Sequence, residues 1–307
     1  MTIDDAYSDA YRALADVHGG DEAHWAFGTG FDDPLAGVDT TLPSTVDGAA
    51  LAAYCLMLGD DALVLAQRLT EWCTRAPELE DEVALANIGL DLLGQARLLL
   101  SRAAQADPSV VPTGGAGVAE DGLAYFREQH EFRNVRLCEQ DNGDFAHTVV
   151  RLLVFATWRL AALTRLAASV DPVVSAIAAK GVKELTYHRD WAARWVIRLG
   201  DSTPEARSRV ETGLAGVWPL VDELFRPSTV ESGLAAAGAA VDPAGLRPEF
   251  DAVLAEVLGA AALPVPDVPP AALVGGRAGR DGVHTEALSY LLAEMQSVAR
   301  AHPGATW

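Results

Sequence analysis

Residues Ala84–Leu100 read ALANIGLDLLGQARLLL. Nearly every position is apolar, yet Asn87, Asp91 and Gln95 interrupt the run at intervals of four. Positions four apart stand above one another on one face of a helix. Leu85, Ile88, Leu92 and Leu99 mark one apolar face, and Leu90, Leu93 and Leu100 another. A helix that is greasy on both sides is surrounded by neighbours rather than half-solvated. The stretch therefore predicts a long helix within a bundle, its polar row turned to the interior or to a protein partner. Such groups need hydrogen-bond partners. The plain reading of the row is a buried, satisfied network that fixes packing.

Outward from this helix, which spans about Leu79–Ala104, the pattern stays helical. A first helix is expected from roughly Asp47 to Thr74, bent at Gly59, before the turn TRAPELED. After the loop ADPSVVPTGGAGVAEDG, a third helix is expected from near Leu123 to Asn142–Asp144, and a fourth over Phe145–Ala168. A fifth spans Val173–Leu199. A sixth, capped by Ser202 or Thr203 with Pro204 and Glu205 in its first turn, reaches about Phe225. Residues 226–283 are rich in Pro and Gly and read as a connection, with one short helix at Pro248–Gly259. A last helix covers Thr285–Ala301. No strand and no repeat emerges, so the fold class is an all-α, up-and-down helical bundle. Residues 1–45 are acidic and weakly periodic and read as a weakly structured extension; residues 46–307 form the bundle domain.

The 307 residues are half apolar, enough for a sizeable core. Acidic residues outnumber basic ones 43 to 23, giving a formal charge of −20. Such a surface repels phosphate backbones and anionic lipids, which argues against nucleic acid or membrane as partners. The first residues lack a basic, then apolar, leader, and the greasy stretch VVRLLVFATWRLAALTRL carries Arg151, Arg159 and Arg165. No segment is therefore expected to span a membrane, and the expected location is cytoplasmic. Cys55, Cys73 and Cys138 are too scattered for a disulfide framework or a zinc cluster.

Inward polar residues in bundles have a sharper use. Carboxylate-bridged di-iron bundles take a Glu from each of two helices and a Glu-x-x-His pair from each of two others. Spacing three puts carboxylate and imidazole on one face, within reach of one metal pair. Of seven histidines, His188 in KELTYHRDWAARWVIRL is the best placed. Three residues before it stands Leu185, and the nearest carboxylate is Glu184 at spacing four. In the second helix the matching frame holds Leu92 at the carboxylate position and Gln95 at the histidine position. Leu92, Gln95 and Leu185 thus read as degenerate ligand positions.

The runs LGDDALVLAQRLTEWCTRAPELEDEVALANIGLDLLGQARLLL, EFRNV, NGDFAHTVVR, AAKGVKELTYHRDW, RLGDSTPE, VHTEALSYLLAEMQ and the final PGATW resemble one family. It is that of the structural C subunits of phenylacetyl-CoA ring-1,2-epoxidases (PaaC-type). The resemblance covers about residues 54–307, in order. It implies a ferritin-like bundle within a multicomponent bacterial monooxygenase of phenylacetate breakdown. A homologous subunit then carries the di-iron centre, a reductase delivers electrons from NADPH, and O₂ supplies the epoxide oxygen. The chain itself is expected to hold no cofactor and no catalytic residue. Its polar row Asn87–Asp91–Gln95 would be the relic of an inward face.

Two other readings stay open. Asp91, Asp144, Glu184 and His188 could assemble a nonstandard metal site, with His147 as an additional ligand or a helix-start residue. Arg133, Arg136 and Lys183 could help shape a coenzyme A site at a partner interface. Trp158, Trp191, Trp195 and Trp218 offer large faces for core or interface, and a homo-oligomer is also open. No Gly-rich phosphate loop, G-x-S-x-G or Cys/His pair at ligand spacing occurs. GGRAG at Gly275–Gly279 reads as a flexible turn.

Overall fold

The computed structural model describes residues 35–113 and 117–305. The acidic extension expected over residues 1–45 lies mostly outside the described residues. In chain order the helices are α1 (Gly48–Thr70), α2 (Leu79–Ala106), α3 (Ala119–Tyr125), α4 (Arg136–Glu139), α5 (Phe145–Leu166), α6 (Pro172–Gly200), α7 (Pro204–Val217), α8 (Thr229–Ala236), α9 (Arg247–Ala260) and α10 (Glu286–Ala301). The described residues contain no strand; Val274 and Arg277 form one isolated bridge.

Helix starts follow local chemistry. Asp47, Asp144, Asp171 and Thr203 accept from the backbone N–H three residues on, at 2.7, 2.9, 2.9 and 3.2 Å. Each such cap satisfies an orphan donor and contributes about 1 kcal/mol. Of the two cap candidates for α7, Thr203 is the one that accepts. Helix α2 has no side-chain cap; Glu80, Asp81 and Glu82 instead meet the positive end of its dipole.

Helices α1, α2, α5 and α6 form the bundle. α1 and α2 are antiparallel, with Gly48 beside the Ala106 carbonyl and Gly59 against Leu99 and Leu100. α5 and α6 are likewise antiparallel: Phe145 meets Trp191 and Trp195 edge-on, while Gly181 faces Leu163. A Cβ at position 181 would meet Leu163 Cδ1 at 2.5 Å, so a larger residue there requires the Leu163 side chain to shift. Trp72 Nε1 donates to Thr148 Oγ1 at 3.1 Å, and Asp61 faces Arg159, so α1 and α5 also run oppositely. α2 and α5 therefore point the same way across the bundle diagonal, joined by a long crossover through residues 107–144. One such crossover between two hairpins is the ferritin-like form of the four-helix bundle. Leu51, Leu65 and Leu69 of α1, Leu85, Ile88 and Leu92 of α2, Phe155 of α5, and Leu185 and Val196 of α6 fill the core. Full burial of one such side chain contributes about 1.5–3 kcal/mol.

Several expectations need correction. The third helix is broken: between α3 and α4, residues Phe132 and Val135 are extended. The reason lies on α1, where Asp60 accepts from Arg133 N and Asp61 from Val135 N, both at 2.8 Å. Those donors are then lost to a helix. The sixth helix gives way after Val217 to a 3₁₀ segment, Trp218–Phe225, where Pro219 supplies no N–H. The connection 226–283 hides a second helix, α8, with Ser228 and Glu231 forming a capping box. The GGRAG turn is not free, because Gly279 is buried and Arg280 reaches into the bundle. By length and composition α1 and α2 could each cross a membrane, contrary to expectation; α1 spends that apolarity inside the bundle. Nor is α2 enclosed on every side. Leu79, Val83 and Leu90 are 70, 51 and 56% exposed. Of the tryptophans, Trp158 is buried, and Trp191 and Trp195 stack around Phe145.

Candidate functional site

At mid-height each of the four bundle helices sends one polar side chain inward, and the four are linked. Asp61 of α1 lies 3.8 Å from Nη1 of Arg159 on α5. Arg159 Nε donates to Gln95 Oε1 of α2 at 3.1 Å. Gln95 Nε2 donates to Glu184 Oε2 of α6 at 2.9 Å, and Lys180 pairs with the other Glu184 oxygen. Asp61, Gln95 and Arg159 are buried. Burial pulls the Arg159 pKa down from its ordinary value. It also raises that of Asp61, against the pull of Arg280 and Arg159.

One turn along the α2–α6 seam, Asp91 Oδ2 lies 2.9 Å from His188 Nε2. His188 is fully buried, its Nδ1 has no hydrogen-bond partner, and the Asp91 side chain is 38% exposed. The expected row Asn87–Asp91–Gln95 is thus a gradient rather than an enclosed network. Asn87 is exposed, Asp91 sits at the edge, and only Gln95 is inside. The helix turns about its axis relative to the expectation because its Leu79–Val83–Leu90 edge faces outward.

Asp144 belongs elsewhere. It caps α5 and faces Arg209, beside two shallow hollows at the α5 start that His147 and Arg209 help line. His147 Nδ1 donates to the Asn142 carbonyl at 3.1 Å. Of the nonstandard set, the structure brings together Asp91, Glu184 and His188 along one seam and leaves Asp144 out. Among the described residues no three His, Cys, Asp or Glu side chains are grouped to hold an ion. Leu92 and Leu185 are fully buried in the core. The basic candidates are largely engaged: Arg136 pairs with Glu223 at 2.6 Å, and Arg133 donates to the His130 and Phe132 carbonyls. Lys183 stands exposed on α6.

Residues 38–307 match the model of the phenylacetic acid catabolic protein family. The chain belongs to the phenylacetic acid catabolic protein family. It is 44% identical over 257 residues to the C subunit of the 1,2-phenylacetyl-CoA epoxidase of Escherichia coli (strain K12). That match covers 84% of this chain and 99% of the relative. Every member of the inner polar set lies within the span matched to the phenylacetic acid catabolic protein family.

Sequence reasoning missed the main polar feature of this family member, a set of arginines buried against carboxylates. Arg127 clamps Asp60, Arg280 clamps Asp61, and Arg102 clamps Asp171. Arg151 is fully buried and bonds to the Gln140 carbonyl and to Asn142; burial, reinforced by Arg68, brings its pKa down to about 10. Glu139 accepts from Asn134 and from Thr285 N and meets His284. The signal in the sequence is Asp60-Asp61 in the middle of an apolar helix, where two carboxylates demand partners.

Proposed function

We propose that this chain is the non-catalytic, structural subunit of a multicomponent oxygenase that epoxidises the ring of phenylacetyl-CoA. It supports a homologous subunit that carries the di-iron centre, within an assembly that takes electrons from NADPH through a reductase and uses O₂. The observation that carries the reading is the donor set of the inner face. A di-iron pair needs anionic oxygens to bind it and balance its charge. Leu92 and Leu185, where Glu-x-x-His pairs would place carboxylates, are fully buried and apolar. Gln95 is already bonded to Arg159 and Glu184. These residues do not fit a metal pair, and no chemical step is assigned to them; they tie helices together. The reaction, and membership of a larger assembly, are taken from the E. coli relative.

The outer edge of α2 supports association. Leu79, Val83 and Leu90 form an exposed apolar line, Gly94 leaves open space beside it, and Tyr187 of α6 is 49% exposed. An acidic chain with three unpaired cysteines suits the cytosol. The test is phenylacetyl-CoA epoxidation by the reconstituted complex, with this subunit omitted and then restored. Loss on omission is expected, with return of activity on adding either the wild type or an Asp91→Asn, His188→Ala variant. Full turnover without the subunit rejects the support role. The competing reading, a nonstandard site on Asp91, Glu184 and His188, requires stoichiometric iron in the purified chain that the variant loses.

A further inference from the structure

The plan that places Glu-x-x-His frames on α2 and α6 asks for one carboxylate from each of the other two bundle helices. Helix α1 answers with Asp61. Helix α5 answers with the opposite charge, Arg159. Its side chain is 1% exposed, its Nε bonds to Gln95, and its Nη1 points at Asp61 from 3.8 Å. Neither Nη1 nor Nη2 makes a hydrogen bond, although both are buried. A guanidinium keeps its charge on burial where an amine would shed it.

The carboxylates around this centre already have protein partners. Three carboxylates face the seam and its neighbour on α1: Asp61, Asp91 and Glu184. Arg280 and Arg159 both face Asp61, Lys180 pairs with Glu184, and Asp91 at the half-exposed edge meets His188. A divalent pair entering here would meet Arg159 directly.

We propose that Arg159 is a resident cation standing where a metal-bearing bundle of this plan would hold its ions. It links α1 and α5 to α2 through Asp61 and Gln95, and it bars divalent metal from the centre. This rests on the reading of the inner face as a metal site that has lost its ligands. It adds that a specific side chain has taken the ions' place, so restoring ligands alone does not restore binding.

The test uses the full chain and Co(II), followed by its visible d–d absorption and by equilibrium dialysis. In the variant L92E/Q95H/L185E, both Glu-x-x-His frames are rebuilt with Arg159 retained, and no stoichiometric Co(II) should bind. Adding R159E should give about two Co(II) per chain. Co(II) bound equally with Arg159 retained overturns the proposal. So does failure to bind by the four-fold variant when its helical circular dichroism is native. If the rebuilt variants do not fold, single substitutions decide. The wild type should melt above Arg159→Glu by at least about 5 °C, with Arg159→Met between them. Equal melting of all three overturns the proposal, because the charge then does nothing at that position. Neither result depends on turnover, so a failed omission experiment on the complex would sink the support role and leave this proposal standing.

Discussion

Arg280 grips Asp61 with both terminal nitrogens, at 2.9 and 2.8 Å, across 219 residues of sequence. The same guanidinium donates to the carbonyls of Met57 and Arg133, so one side chain pins α1, the extended segment before α4 and the turn before α10. Its pKa lies above the ordinary arginine value: desolvation lowers it, but Asp61 and Glu231 together raise it by more. Arg280→Ala leaves a buried carboxylate short of its main partner and should cost about 3–5 kcal/mol in urea unfolding. Arg280→Met with Asp61→Asn should recover part of that loss, since the uncompensated charge is gone. A cost below about 1 kcal/mol for Arg280→Ala would show that water reaches Asp61.

The Asp91–His188 pair predicts a coupling rather than a simple loss. Asp91→Ala removes the hydrogen-bond partner of a buried imidazole, with an expected cost of about 1–3 kcal/mol. In a His188→Leu background the same change should cost less than about 0.5 kcal/mol, because nothing is left to orphan. Equal costs in the two backgrounds would mean that the pair does not interact in solution.

His147 predicts a pH effect. The half-buried ring sits against Gly143 and Gly216, and burial chiefly, with Arg151, pulls its pKa below 6.5. As pH falls below about 6.5, the unfolded chain takes up the proton first, so stability falls through the window down to the folded-state pKa. The neutral ring at pH 7.5 carries no such penalty. The melting-temperature difference between pH 7.5 and 5.5 should therefore shrink in His147→Gln. An unchanged difference assigns the acid sensitivity to other groups.

For the outer edge of α2, Leu90→Glu replaces an exposed side chain and should leave the melting temperature within about 2 °C of wild type. Co-purification with the proposed catalytic subunit should drop at least about tenfold, the effect of burying one uncompensated charge at an interface. Undiminished recovery of the complex would place the contact on another face.

Periodicity carries the bundle because long apolar helices leave little choice of partner: five of the expected helices lie close to α1, α2, α5, α6 and α10. It fails where side chains from one element capture the backbone of another. Residues 132–135 look helical in composition, but Asp60 and Asp61 claim two of their N–H groups. Periodicity also gives no direction to Leu90, since a leucine for the core and one for solvent or a partner read alike. Gln95 and His188 are legible because spacing alone places them. Arg159 reads only as a charge unsuited to lipid, because a lone arginine in an apolar run does not reveal which carboxylates the fold will bring to it.

The pairing of Asp61 with Arg280 also sets an order of events during synthesis. Asp60 and Asp61 emerge early, and Arg127 can satisfy the first once the crossover has been made. Asp61 must wait for residue 280, when all four bundle helices have already left the ribosome. Until then its carboxylate stays short of its main counter-charge, and closing the bundle around it is penalised. Chains truncated before the last turn should therefore remain open enough for proteases to remove them. A partner subunit would then meet almost only full-length copies.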